Sequence, residues 1–406
     1  MSTATNYLDT PTADLGELRA HFEPVFAKVA EGNLERERDR VFPREQVRLL
    51  NEAAFGTLRI PAERGGFGAS LQQVFLLLAD LGTADANVAH IWRNHLAFVE
   101  DRLNAPVSPA NGVWITRFLD GQFIGGGWTE ANNVTLANLV TTVATDGDHY
   151  AVTGAKFYAT GSLYADWLDV LGRGDDGELL TALVRADDPG VTLVDDWDGF
   201  GQRTTASGTA RYDKARADRG DVFPAAERFP YQGHFYQTAM LSVLTGITRA
   251  ALRDGSSALS GRKRNYPQGL AEVPSDDAQL LAVIGEVSAD AFAAEAALTQ
   301  AGAALDRIHG DAQEVRRRLV DAEVAVTQAQ LVIIAAALRA TTTVFDALGA
   351  SGVSEQRGLD RHWRNARTLA SHNPRVYKAR ILGDYLINGK DPVSNLAALG
   401  RGGQGN

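Results

Sequence analysis

With 406 residues, 45% of them hydrophobic and 22% charged, the chain is long enough for two or three domains around a large core. A formal net charge of -10 argues against the basic face that a nucleic-acid partner requires, and the lack of any cysteine excludes disulfides, thiolate metal sites and cysteine nucleophiles. Residues 1–14 are polar and acidic, without the basic and apolar regions of a signal peptide. The longest apolar run, 331–338, is far short of the roughly 20 residues of a membrane helix. A cytoplasmic protein with no membrane partner and no metal is expected.

In chain order, apolar residues recur at helical spacing over 15–30 and 43–54, the second stretch with Pro43 in its first turn. Pro61, Gly65, Gly66 and Gly68 then break the helical pattern. Residues 71–82 and 87–103 read as helices, the latter carrying His90, Trp92, Asn94 and His95. His90 and Asn94 stand four apart and share a face, whereas His95 points elsewhere.

Trp128-Thr129-Glu130-Ala131-Asn132-Asn133 opens a β-rich region. Runs 138–145 and 149–153 about Asp146-Gly147-Asp148 predict a hairpin, and runs 167–172 and 179–185 about Asp175-Asp176-Gly177 repeat the pattern. Residues 212–224 close this antiparallel β region. Four further helices are predicted at 235–259, 278–309, 314–348 and 373–386, sufficient for an antiparallel bundle whose alanine-rich faces suit contact between subunits. The expected domains are therefore 1–122 (helical), 123–230 (β) and 231–406 (four-helix bundle). Arg262, Lys263 and Arg264 follow the first bundle helix, where a helix dipole or a phosphate would suit them equally.

No His-Glu-x-x-His, Gly-x-Ser-x-Gly or P-loop pattern is present. A literal Gly-x-Gly-x-x-Gly at Gly400, Gly402 and Gly405 has no strand before it and no helix after it, so it is no nicotinamide fingerprint.

Several motifs together resemble the middle domain of the acyl-CoA dehydrogenase fold: the Trp128-Thr129-Glu130 opening, Gly154 to Ser162 (Gly-Ala-Lys-Phe-Tyr-Ala-Thr-Gly-Ser), Ala165-Asp166, Pro189-Gly190-Val191 and Gly199-Phe200-Gly201-Gln202-Arg203. The resemblance implies a mainly α protein with a central, antiparallel, barrel-like β domain and a C-terminal four-helix bundle. It also places Trp128, Thr129, Thr160 and Ser162 along a flavin. A dehydrogenase of this fold needs a glutamate base. His372 stands where most members carry it, and Tyr236 and Gln237 occupy the alternative position, so α,β-dehydrogenation lacks its essential group.

The run Asp360-Arg361-His362-Trp363-Arg364-Asn365-Ala366-Arg367-Thr368, followed by His372-Asn373-Pro374, is similar to the flavin-dependent monooxygenase branch, typified by dibenzothiophene monooxygenase. That likeness implies reduced FMN delivered by a separate NAD(P)H-dependent flavin reductase. Molecular oxygen is then the co-substrate, a flavin C4a-hydroperoxide the oxidant, and the acceptor a small apolar substrate such as an organosulfur compound. Carried over by position, His90 lies beside the flavin, Thr160 near its reactive edge and His372 against the oxidant, the histidines and hydroxyl acting as hydrogen-bond donors. Trp92, Asn94, Phe235 and Tyr236 are expected to line the substrate pocket. Arg264 is expected to hold the flavin phosphate of a neighbouring subunit, with Arg367 as a second phosphate ligand, in a homotetramer. Three alternatives remain open at this point: a nitrogen-hydroxylating enzyme of the same branch, an acyl-CoA dehydrogenase with an atypical base, and a non-catalytic flavin-binding protein.

Overall fold

The computed structural model describes residues 7–8, 11–130 and 138–393. Six helices come first: α1 (Leu15–Ala30), α2 (Asn33–Asp39), α3 (Arg44–Glu52), α4 (Leu71–Ala84), α5 (Ala86–Asn104) and α6 (Pro109–Leu119). Capping sets their starts. Asp14 accepts from Glu17 N, Ser70 and Gln73 form a reciprocal capping box on α4, and Asp85 accepts from the Asn87 and Val88 amides of α5.

Eight strands follow: β1 (Ile124–Gly127), β2 (Thr142–Asp146), β3 (His149–Lys156), β4 (Trp167–Arg173), β5 (Leu179–Arg185), β6 (Val191–Val194), β7 (Thr209–Asp218) and β8 (Val222–Pro224). Both predicted hairpins form. Thr142 pairs with Thr153 through to Asp146 with His149, and Trp167 pairs with Arg185 through to Arg173 with Leu179. The sheet runs β6-β7-β3-β2-β4-β5-β8, with β1 also on β4. It is mixed rather than purely antiparallel, because β1 and β2 both lie parallel to β4. Glycine-rich β1 (Ile-Gly-Gly-Gly) has no β-forming side chains to announce it; its glycines are required by close approach, since a Cβ on Gly126 would lie 2.3 Å from Asn94 Nδ2.

The C-terminal helices are α7 (Gln232–Ser260), α8 (Ala278–Asp306), α9 (Ala312–Leu348), α10 (Asp360–Ala370) and α11 (Lys378–Asn388). The helix expected at 373–386 begins five residues later and buries none of its residues. Pro374 explains the delay, because the residue before a proline is forced out of the α region. Between α9 and α11, α10 instead turns Arg361, His362, Asn365, Ala366 and Leu369 inward, packing against α7 and α9. The stretch Ala312–Val353 is, among the described residues, the one helix long and apolar enough to cross a membrane, contrary to the run-length expectation; half of its most apolar window is buried inside the fold.

One apolar core runs through Phe22 of α1, Leu77 of α4, Trp92 of α5, Leu241 of α7, Leu298 of α8, Ile333 of α9 and Leu369 of α10. The sheet has a smaller core of its own around Val143, Val152, Val170 and Tyr212. Helix α5 lies between the two, and every residue from Asn87 to Leu103 is buried.

Candidate active site

Helix α5 turns one polar face, His90, Arg93 and Asn94, toward the sheet and α10. His90 Nδ1 lies 3.0 Å from Gln202 Oε1, an acceptor, so Nδ1 carries the proton and the buried Nε2 is a bare lone pair with no protein partner. Gln202 reaches this position from the Gly199–Arg203 turn with a left-handed φ of 53°. That turn is pressed onto α10, where a Cβ on Gly201 would meet the Arg364 carbonyl at 2.3 Å, and Gln202 N donates to Asn365 Oδ1 at 2.5 Å.

Thr160 is buried and its hydroxyl belongs to a directed chain. Thr205 Oγ1 donates to the Gln202 carbonyl (2.9 Å), so its 2.7 Å contact with Ser207 Oγ must be a bond that Ser207 donates. Ser207 has then used its proton, and the 2.8 Å Thr160–Ser207 bond is donated by Thr160. Thr160 therefore presents only lone pairs to a ligand. Its carbonyl is taken by Asn94 Nδ2 at 2.8 Å and by Gly126 N at 3.1 Å.

His372, in the turn after α10, has exposed surface at the rim, and its Nε2 lies 3.3 Å from Arg93 Nη1. Arginine only donates, so Nε2 accepts and Nδ1 carries the proton toward Asn373 Oδ1 at 3.3 Å. The desolvation of the crowded ring and the neighbouring Arg93 charge push its pKa down to about 4. Burial, then the same guanidinium and His372, hold His90 well below the usual histidine range. Both imidazoles are neutral at pH 7. The donor role expected of His90, Thr160 and His372 is thus corrected: as bonded, His90 and Thr160 offer acceptors, and the one ring lone pair of His372 is already taken by Arg93.

Arg93 is the donor that the sequence reading missed. It is buried, Nη1 reaches Met240 Sδ at 3.2 Å, its guanidinium lies 5.4 Å from the Tyr236 ring centre, and its Nε has no partner. Its signal was present in the sequence, three residues after His90 on the same helical face. Gln202, too, was quoted within a motif but not assigned to the site.

The remaining candidates divide. Tyr236 is half-buried beneath Arg93. Trp92 does not line the pocket: it lies on the opposite side of α5 from His90, edge-on to Phe55 at 5.2 Å and Phe123 at 4.9 Å. Phe235 is likewise in the core, against Phe75 at 5.1 Å. Asn94 bridges α5 to the sheet rather than standing free.

Trp128 is tied by Nε1 to Asp169 Oδ2 at 2.9 Å, and Arg228 lies over its ring at 5.4 Å while pairing with both Asp101 and Asp169. Thr129 is exposed and its carbonyl receives Phe157 N at 2.8 Å. Glu130 is structural, accepting from Lys156 Nζ at 3.0 Å and Thr141 N at 2.9 Å. Ala131, Asn132 and Asn133 lie outside the described residues. Ser162 is buried and donates to the Ala206 carbonyl at 3.3 Å.

Arg264 and Arg367 are exposed. Arg264 follows the far end of α7, and the 1.5 Å rise per residue puts that end roughly 36 Å from Tyr236, so Arg264 cannot serve this site within its own chain. Surface clefts of about 690 Å³ beside Arg19, Asp80 and Arg253 and about 530 Å³ beside Asp254, Arg357 and Arg361 are lined by none of the site residues. Chemistry, rather than cavity size, therefore locates the site. Among the described residues no group of three His, Asp or Glu could hold a metal ion.

Residues 239–375 match the family "Acyl-CoA dehydrogenase, C-terminal domain". The chain is 26% identical over 370 residues to a dibenzothiophene monooxygenase of Rhodococcus qingshengii, covering 85% of this chain and 87% of the relative. It is 24% identical over 363 residues to a probable FMNH2-dependent monooxygenase, SfnC, of Pseudomonas putida, covering 86% and 90%. The crystal structure of FMN-bound TdsC from Paenibacillus sp. A11-2 superposes with a TM-score of 0.82 at 25% identity, over 92% of this chain and 98% of that one. Over most of its length the chain is thus similar to flavin-dependent monooxygenases that share the acyl-CoA dehydrogenase fold.

Proposed function

We propose that the protein is the oxygenase of a two-component system, taking reduced FMN from a separate NAD(P)H-dependent flavin reductase and using molecular oxygen to transfer one oxygen atom to a small organic substrate. The relatives named for dibenzothiophene make organosulfur compounds the first substrate class to test. The observation that carries the reading is a cluster of two buried polar atoms without protein partners, the acceptor His90 Nε2 and the donor Gln202 Nε2, on side chains that bond to each other where no free carboxylate stands. Buried polar groups are almost always satisfied, so such a cluster fits a ligand with both donors and acceptors, as an isoalloxazine has. When bound, reduced flavin supplies the two electrons that activate oxygen.

The chain's own residues do the rest. His90 and Thr160 offer lone pairs to N–H or O–H groups, while neutral His372 adds no second charge beside Arg93; a water-poor site is what an oxygen-transferring intermediate requires. Asp169, whose charge reaches Tyr236, is committed to Arg228 and Trp128 and is no free base. Arg264 is assigned to the flavin phosphate of a neighbouring subunit, with Arg367 as a second ligand, and the assembly is proposed as a homotetramer. Exposed Phe292 on α8 and Val332 on α9 supply apolar area for it. A cytoplasmic location belongs to the same proposal, because NAD(P)H and reduced flavin are intracellular pools.

The test is oxygen uptake by the purified protein with a flavin reductase, NADH and FMN, with ¹⁸O incorporation followed across organosulfur compounds. Reductase-dependent incorporation of one labelled atom is expected. Tightly held FAD bleached by an acyl-CoA would overturn the reading in favour of dehydrogenation.

A further inference from the structure

Among the described residues, Arg93 is the buried cation that meets no carboxylate. The other buried arginines, Arg59, Arg102 and Arg361, and the buried Lys156 each have a carboxylate oxygen within 3.0 Å. Asp101 and Asp169 are already held by Arg228. What surrounds Arg93 is a thioether, a neutral imidazole and the Tyr236 ring, with Nε left unbonded. An arginine keeps its charge inside a protein, and a buried charge without a counter-ion is strongly unfavourable. Its planar fork of donors matches the paired oxygens of a carboxylate or a sulfur oxyacid.

Resting on the oxygenase reading above, we infer that Arg93 anchors an oxyanion carried by the substrate, a carboxylate, sulfinate or sulfonate, so that the acceptor is an organic anion and not the neutral apolar compound expected from the sequence. The rest of the face enforces orientation. His90 Nε2 and Thr160 Oγ1 present lone pairs, which repel an anion and accept from N–H or O–H groups. The oxyanion therefore lies at the Arg93–Tyr236 end, beside exposed His372 at the rim, and the oxygenated atom points toward His90. Tyr236, half-buried below the guanidinium, shields the ion pair from water.

The test needs neither oxygen nor reductase, so it is independent of whether turnover is found. Purified wild type, Arg93→Met and Arg93→Lys are titrated calorimetrically with methanesulfinate, benzoate and neutral benzamide, and with reduced FMN under anaerobic conditions. We expect wild type to bind at least one oxyanion tenfold or more tightly than benzamide, and the preferred probe to identify the oxyacid class. Arg93→Met should lose at least tenfold in that affinity while holding reduced FMN within threefold of wild type, and should melt at a higher temperature than ligand-free wild type because an unpaired buried charge has gone. Arg93→Lys should retain part of the oxyanion affinity. Three outcomes overturn the inference: wild type that does not prefer oxyanions to benzamide, equal oxyanion binding in Arg93→Met, or a loss of reduced FMN affinity that matches the loss of oxyanion, which would assign the guanidinium to the flavin. Should Arg93→Met not fold, the wild-type and Arg93→Lys titrations decide alone. Arg93-dependent oxyanion binding without oxygenation would leave the subsite standing and refute the function instead.

Discussion

Arg93 Nη1 donates to His372 Nε2 across 3.3 Å, joining the middle of α5 to the turn that follows α10. The bond fixes the imidazole as an acceptor on the side of the site and removes any pH-7 acid role for it. His372→Ala should leave FMN affinity close to wild type and lower coupled turnover by roughly 10²-fold, the scale of one positioned hydrogen-bonding group. Hydrogen peroxide release per NADH should rise in proportion. His372→Glu places a carboxylate against Arg93, so it should abolish both oxygenation and oxyanion binding. Full coupling in His372→Ala would take the residue out of the mechanism.

Arg264 stands exposed beyond the end of α7. Arg264→Ala should weaken FMN binding by roughly 1.5 to 4 kcal/mol, the worth of one or two charge-assisted hydrogen bonds, with an unchanged elution volume. Unchanged affinity together with a dissociated assembly would mark it as an interface residue only. Mixing Arg264→Ala with a variant crippled at His90 should restore some activity if the arginine acts on its neighbour's flavin.

His95 uses both ring nitrogens while neutral: Nε2–H donates to the Gly56 carbonyl and Nδ1 accepts from Ile124 N, each at 3.3 Å. Burial lowers its pKa to about 4, against about 6.5 in an unfolded chain. Between those values the unfolded chain binds the proton and the folded one does not. Stability from this group is therefore complete above about pH 6.5 and falls as the pH drops toward 4, by at most about 1.4 kcal/mol per pH unit. His95→Gln, which can keep one donor and one acceptor, should flatten the acid limb by one proton in urea unfolding followed from about pH 7.5 to 4.5. An unchanged slope would mean that His95 is protonated in the fold.

The Lys156 side chain is fully buried, and Glu130 Oε1 lies 3.0 Å from its Nζ. Burial lowers the lysine's pKa and the glutamate opposes that shift. Glu130→Ala strands the ammonium and leaves Thr141 N–H without its acceptor, so a loss of about 3 to 5 kcal/mol is expected in chemical denaturation. The double variant Glu130→Ala, Lys156→Met should recover much of it. Additive losses would show that the two residues do not act as a pair.

The hairpins could be read because Asp-Gly turns and β-branched runs act locally, and α1 was read to its end residues for the same reason of periodicity. β1 could not: three glycines carry no strand propensity, and their purpose, admitting Asn94, exists only once α5 has docked. Trp92 and Phe235 were assigned to the pocket by their chemistry, which suits a core equally well; helix phase would have turned Trp92 away from His90. The direction of the Thr160 hydroxyl depends on Ser207 and Thr205, more than forty positions away, and no local pattern encodes it. Arg93 was legible by spacing, but the lack of a counter-ion is a property of packed neighbours alone.

Helix α5 is held at five independent points along its length: His90 to Gln202, Asn94 to Thr160, His95 to Gly56, Glu100 to Arg59 and Asp101 to Arg228. A wall fastened that way cannot swing to admit a flavin, whereas residues 371–377 are largely exposed and begin where His372 meets Arg93. Amide hydrogens of α5 should therefore exchange with deuterium only when the whole molecule unfolds, and those of 371–377 through brief local opening. The doorway and the anvil of this site are then separate parts of the chain, one free to move at each turnover and the other as slow as denaturation itself.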